Sequence, residues 1–185
     1  MENMAIWTAV SSTDPKFTSR VQQRGGFTSI DAYFQIRQAT ELWGPYGFRW
    51  GLRNLRRTLE KDLEMAILDA EFFYPVGNET VSFEIGNSLF FVLKSKSGDK
   101  PDDEFIKKLE TNTISKALSR LGFGADVFLG MFDDNRYIEE QNLKYGNPAP
   151  TAPVPFAPAA PAAPAAPTVR PAVASALPPP PPPKR

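Results

Sequence analysis

The sequence predicts an α+β domain: an antiparallel β-meander of three to four strands packed on a long helix, in β-β-β-α order, with another helix ahead of it. Three observations lead there. Residues Pro101 to Gly124 carry apolar side chains at helical spacing. From Gly47 to about Lys96 the apolar residues alternate, or run in short aromatic and β-branched stretches broken by turn residues. And 15 of the 19 prolines fall after Asn147, so the predicted organisation is a folded domain over 1–147 and a disordered Pro/Ala-rich tail over 148–185.

The long helix is marked at both ends. Pro101 suits a first helical position, where its missing N–H is not needed, and Asp102, Asp103 and Glu104 suit a first turn facing the positive end of the dipole. Gly122, just after Leu121, marks the stop. Phe105, Ile106, Leu109, Ile114, Ala117, Leu118 and Leu121 then share one apolar sector. Lys108, Asn112, Lys116 and Arg120, spaced by four, run down another flank with Ser115 and Ser119 beside them. Such a flank is either a solvated surface or a ridge that tracks phosphates, since cations and short donors one turn apart suit a polyanion.

The remaining elements follow from local signals. Ile6, Trp7 and Val10 fit a short helix or strand, and Asp14-Pro15 a turn. Arg20 and Arg24 flank glutamines just before Gly25-Gly26. Thr28 and Asp31 have the form of a capping box, which predicts a helix over Ser29 to Trp43 ended by Gly44-Pro45. From Gly47, Phe48, Trp50 and Leu52 alternate with Arg49, Gly51 and Arg53, placing Arg49 and Arg53 on one side of a first strand. A second strand is expected from Leu63 to Tyr74, although Leu59 to Ala70 also contains good helix formers. Pro75 to Asn78 turns into a third strand, Glu79 to Ile85, and Ser88 to Lys96 is a fourth strand or a continuation past a bulge. Lys94, Lys96 and Lys100 are loop solubilisers or one wall of a groove. Asp133-Asp134-Asn135 lacks calcium-loop spacing and reads as a turn, and Arg136 to Tyr145 as a short helix that could dock on a neighbouring subunit.

Composition excludes several chemistries. With no cysteine and no histidine, the chain has no disulfide, no thiolate or imidazole metal site, and neither the Ser-His nor the Cys-His pairing. No GxxxxGK[ST] loop occurs, so no nucleotide hydrolysis is expected; an enzymatic activity is the least favoured reading and no cofactor is expected. No apolar run approaches the roughly 20 residues that span a bilayer, and the start lacks a signal-peptide pattern, which predicts a soluble, cytoplasmic protein with no membrane partner. The tail contributes Arg170, Lys184 and Arg185 and no acid, leaving 18 basic against 21 acidic residues in 1–147. That balance is unlike a generic nucleic-acid binder, but the charges are segregated: Arg37 to Arg57 is basic and Glu60 to Glu71 acidic. Segregation permits a local positive groove, or a contact between one subunit's acidic patch and the next one's basic patch.

Two runs resemble a known family. TNTISKALSRLGFGADVFLG resembles the helix of the single-strand annealing superfamily, which includes the eukaryotic Rad annealing protein and the phage Erf and Sak recombination proteins. IDAYFQIRQATELWGPYGFRW resembles the same superfamily's earlier helix, which leads into an aromatic-Gly turn and a first strand. The resemblance spans roughly Gly25 to Tyr137. It implies ATP-independent binding of single-stranded DNA and annealing of complementary strands in phage-type recombination, on a homo-oligomeric ring or helical filament, in the cytoplasm of a bacterial host. Recognition would be through the backbone. Implied partners are single-stranded DNA, further copies of the chain, and a phage exonuclease or host single-strand binding protein; the preference for DNA over RNA stays open.

In the superfamily's helix two adjacent cations precede Ala-Leu; here Ser115 takes the first place and Lys116 keeps its charge, and the next cation falls at Ser119 with Arg120 one residue on. Lys116 and Arg120 are therefore the expected main phosphate contacts, supported by Lys108, Asn112, Arg49, Arg53, Lys94 and Lys96. Arg20 and Arg24 stand where the superfamily has a basic residue ahead of a glycine-rich step. The competing reading is a structural or adaptor module that recruits a partner through its Pro-rich tail, acting as a spacer or as a polyproline ligand.

Overall fold

The computed structural model describes residues 4–22, 26–95 and 98–147. Helix α1 (Ala5–Val10) and a 3-10 turn (Pro15–Phe17) lead into a hairpin of β1 (Thr18–Val21) and β2 (Phe27–Ile30), then α2 (Ala32–Trp43). A meander follows, β3 (Gly51–Glu60), β4 (Met65–Val76) and β5 (Glu79–Phe90). The two-residue strands β6 (Val92–Leu93) and β7 (Lys100–Pro101) lead to α3 (Phe105–Arg120), α4 (Ala125–Phe128), a second 3-10 turn (Met131–Asp133) and α5 (Asn135–Lys144). The chain divides into two units, Met1–Pro150 and Thr151–Arg185; the second, and with it the expected disordered tail, lies outside the described residues.

The class is α+β with antiparallel sheets, and the meander has the order β3-β4-β5. Burial along β4 shows why its sequence makes a strand: Ala66, Leu68, Ala70 and Phe72 are buried, while Ile67, Asp69, Glu71 and Phe73 between them are partly covered. A period of two divides those residues cleanly and a period of 3.6 would not, so Leu59 to Ala70 is strand, turn and strand rather than helix. The turn sits at 61–64, with Glu64 left-handed at φ 51°. β5 does not stop at Gly86-Asn87. It pairs with β4 without a break from Glu79 to Phe90, and Gly86 faces Asp69, whose Oδ1 would be 3.1 Å from an added Cβ.

β4 runs from Met65 to Val76, so Pro75 and Val76 are paired strand residues rather than part of the expected turn, and three elements start three or four residues later than expected. The first strand begins at Gly51, not Gly47, because residues 44–50 form a turn in which the Gly47 N–H donates to the Trp50 carbonyl at 2.8 Å. α2 begins at Ala32 because Phe27–Ile30 are already paired with β1, and the Asp31 carboxylate caps the helix by accepting from Tyr33 N–H at 2.8 Å. α3 begins at Phe105 because Pro101 is paired with Val92 and the Asp102 N–H donates to the Phe91 carbonyl at 2.7 Å. The three acids thus precede the helix instead of filling its first turn. Its C-terminus is as marked in the sequence: Gly122 takes φ 98° and Phe123 N–H returns to the Leu118 carbonyl, the Schellman pattern.

One buried cluster unites Val10 of α1, Ala39 and Trp43 of α2, Ala70, Phe72 and Ile85 of the sheet, and Ile114, Ala117 and Leu118 of α3, around Trp50 and Phe123. Trp50 is fully buried, and its indole N–H donates to the Gly44 carbonyl at 2.7 Å. Burying each such large side chain stabilises the fold by about 2 kcal/mol. α5 docks on its own chain: Gln141 accepts from the Ser12 hydroxyl and the Tyr145 hydroxyl donates to the Ser12 carbonyl. No helix among the described residues is long and apolar enough to cross a membrane.

Candidate nucleic-acid interface

The core side of α3 fixes the direction of its cationic flank. Leu109, Thr113, Ile114, Ala117 and Leu118 are buried, so Asn112, Lys116 and Arg120 come out together on an exposed edge of the helix. That edge lies along β5, the outer strand of the meander. Lys116 Nζ donates to the Gly86 carbonyl at 2.7 Å; Arg120 reaches the Glu84 carbonyl at 3.5 Å, and its guanidinium stands 5.9 Å from the centre of the Phe83 ring. Glu84 and Gly86 are two apart, so both carbonyls point the same way off the strand. Among the described residues neither cation is in a salt bridge with a carboxylate. Their hydrogen-bond acceptors are neutral main-chain carbonyls.

Beside them, Asn112, Ser115, Lys116 and Ser119 line a shallow, open groove of about 270 Å3 together with Phe128 of α4. Ser115 is tied inward to Gln35 Oε1, and Gln35, itself fully buried, donates to the Phe123 carbonyl at 2.9 Å. The position of α4 is set by Asp126. This buried carboxylate accepts from Thr13 N–H at 2.7 Å, Thr13 hydroxyl at 2.6 Å, Val127 N–H at 2.9 Å and Tyr137 hydroxyl at 2.9 Å. Burial, and then the bond to Asp126, raise the Tyr137 phenol above its usual range. It keeps its proton and stays a donor.

The other expected contacts are dispersed. Lys108 is on the same flank but grips the nearly buried Asp102, bonding both of its oxygens at 2.9 and 2.8 Å. That pairing holds the Asp102 carboxyl below its ordinary value and raises the Lys108 ammonium above its own. Arg53 sits on the helix-free face of the sheet, bonded to Glu71 at 2.7 Å and to the Ser82 hydroxyl at 3.2 Å. Held first by Arg53 and then by Ser82, Glu71 is lowered to about 2. Arg49 is not on a strand with Arg53: it lies in the turn before β3 and lines a hollow with Ile6, Trp43, Pro75 and Gly77. Lys94 is bridged by Glu64 at 2.7 Å and Asp99 at 2.8 Å, and Arg20 by Asp133 at 2.6 Å. Arg24 and Lys96 lie outside the described residues.

The segregated charges of the sequence also meet a different fate from a positive groove. The β3–β4 hairpin folds the acidic run back on the basic one, so Arg53 pairs with Glu71 and Arg56 with Asp69. The 750 Å3 depression on that face, lined by Arg56, Asp69, Glu71, Ser82 and Glu84 among others, carries both signs and offers an anion no net attraction. Among the described residues no cluster of three or more acids could hold a metal ion. No protein-family model matches the chain, and no curated protein is significantly similar to it. The functional reading therefore rests on the residues themselves.

Proposed function

We propose that this chain binds single-stranded DNA through its phosphate backbone and anneals complementary strands without nucleotide hydrolysis, in the manner of the single-strand annealing superfamily it resembles. The observation that carries the reading is the pair Lys116 and Arg120: two cations about 6 Å apart along a helix axis, aimed at one strand edge and left without a carboxylate partner among the described residues. Each phosphate they meet releases condensed counterions, which drives binding without regard to sequence. Pairing of matched strands then supplies the free energy of annealing, so no fuel is needed.

Two cations in one protomer bind weakly, and a row of protomers multiplies them through effective concentration. Assembly into a ring or filament is therefore part of the proposal. In support of it, β3 forms the other edge of the meander, and its hairpin exposes Leu55, Leu59 and Leu63. The test is annealing of two complementary labelled oligonucleotides followed by energy transfer, with no ATP present. The wild-type chain should accelerate pairing, and a Lys116→Ala, Arg120→Ala chain should not. A chain that neither binds a single strand nor accelerates pairing would favour the adaptor reading.

A further inference from the structure

Phe128 carries an aromatic ring that the packing of the fold does not use. It ends α4, whose other three residues, Ala125, Asp126 and Val127, are buried, yet the residue itself is 59% exposed. Left-handed glycines bracket the turn, Gly124 at φ 68° and Gly130 at φ 75°, and the four hydrogen bonds of Asp126 hold it in place. The ring is thus presented by a fixed backbone. The same shallow groove is lined by Asn112, Ser115, Lys116 and Ser119.

The polar groups of that groove still have capacity. Lys116 has three N–H donors and gives one to the Gly86 carbonyl at 2.7 Å, which leaves two. Ser115 and Ser119 direct their hydroxyl protons to Gln35 and to the Lys116 carbonyl, so toward the groove their oxygens are acceptors. Asn112 is exposed and offers both kinds of group. An exposed π face on a held backbone, an ammonium with spare donors and short mixed polar side chains match the three parts of a nucleotide: a flat base, an anionic phosphate and a hydrogen-bonding edge.

We propose that this groove seats one nucleotide of the bound single strand, its base stacked on Phe128 and its phosphate on Lys116, with Asn112 and Ser119 meeting the base edge or sugar. The site rests on the strand-binding reading above and adds to it a contact with the base, which backbone neutralisation alone does not supply. Stacking on an aromatic side chain tolerates any base, so the contact is compatible with annealing of arbitrary sequence and would hold the base unpaired until its complement arrives.

The experiment uses the full chain and fluorescence anisotropy with two labelled strands of equal length, oligothymidylate and its abasic counterpart. Phe128→Ala should weaken oligothymidylate binding roughly tenfold or more and leave abasic binding unchanged. Phe128→Trp should bind like wild type, with indole fluorescence quenched by oligothymidylate and not by the abasic strand. Phe128→Leu, which keeps apolar bulk and so controls for folding, should resemble Phe128→Ala. If wild type binds and the Ala and Leu variants match it on both strands, the nucleotide site is wrong while strand binding stands. If these variants lose self-association instead of base-dependent affinity, Phe128 belongs to a protein interface and the site is again wrong. If wild type binds neither strand, the proposed function fails and this site with it.

Discussion

Lys116 places its ammonium 2.7 Å from the main-chain oxygen of Gly86, so a helix cation closes the edge of a strand without being neutralised. With Arg120 on Glu84 one turn further, two neighbouring outward carbonyls of the β5 edge are covered, one way a sheet limits pairing with strangers there. A single exposed hydrogen bond to a neutral acceptor is worth about 1 kcal/mol or less. Lys116→Ala should therefore unfold in urea within about 1 kcal/mol of wild type while losing most of its affinity for a single strand. A variant that loses stability and affinity in proportion would show the lysine to be structural only.

Arg53 should behave in the opposite way. Its guanidinium is committed to Glu71, and Glu71 is held at about 2 against an ordinary 4.5 by that bond and by Ser82. A depressed carboxyl stabilises the fold fully above its unfolded value, and that stabilisation drains away as pH falls from about 4.5 towards 2. Stability measured across this window should decline in wild type and decline less in Glu71→Gln. Titration of the Glu71 side chain near 4.5 would mean that the Arg53 arrangement does not persist in solution. Glu71→Gln should also release Arg53 and raise strand affinity at neutral pH.

Asp126 ties α4 and α5 to the loop after α1. Replacing it with Asn sets an amide N–H2 against donors that now point at an oxygen, which should cost about 3 kcal/mol in chemical denaturation. Tyr137→Phe removes one of its four bonds and should cost about 1 kcal/mol. Equal costs for the two would place the buried acid's importance elsewhere.

Gly122 is required twice over. It takes φ 98°, and a Cβ there would stand 2.7 Å from the Trp7 ring, so Gly122→Ala should lose about 2 kcal/mol or more. Gly146→Ala is the control: φ is 67° with nothing within 4 Å of the new carbon, and only the backbone cost of about 1 kcal/mol applies. Thermal melts of both variants compare the two effects directly.

What the chain reveals by itself is local. The end of α3 at Gly122, the end of α2 at Gly44 and the period of β4 are each written in a few neighbouring residues. The spacing of Asn112, Lys116 and Arg120 puts them on one flank for the same reason. Partnership over distance is not legible in this way. Arg53 and Glu71 are 18 residues apart, Arg20 and Asp133 are 113 apart, and no local pattern says which cation will be consumed by which acid. The basic and acidic runs are separate along the chain and superimposed in space, because the turn at 61–64 lays one strand of the hairpin against the other. Phe128, in the run between Gly124 and Gly130, is not legible in this way either. The apolar stretch from Ala125 to Met131 conceals it, since nothing in that run separates a buried ring from a presented one.

The most direct test is the salt dependence of single-strand affinity. For wild type, log affinity should fall steeply and linearly with log salt, and Lys116→Ala with Arg120→Ala should reduce the slope by about 0.7 for each phosphate left without its cation. Lys108→Ala, whose cation is spent on Asp102, should leave the slope nearly unchanged. A double variant with the wild-type slope, or a wild type whose affinity ignores salt, would contradict the account.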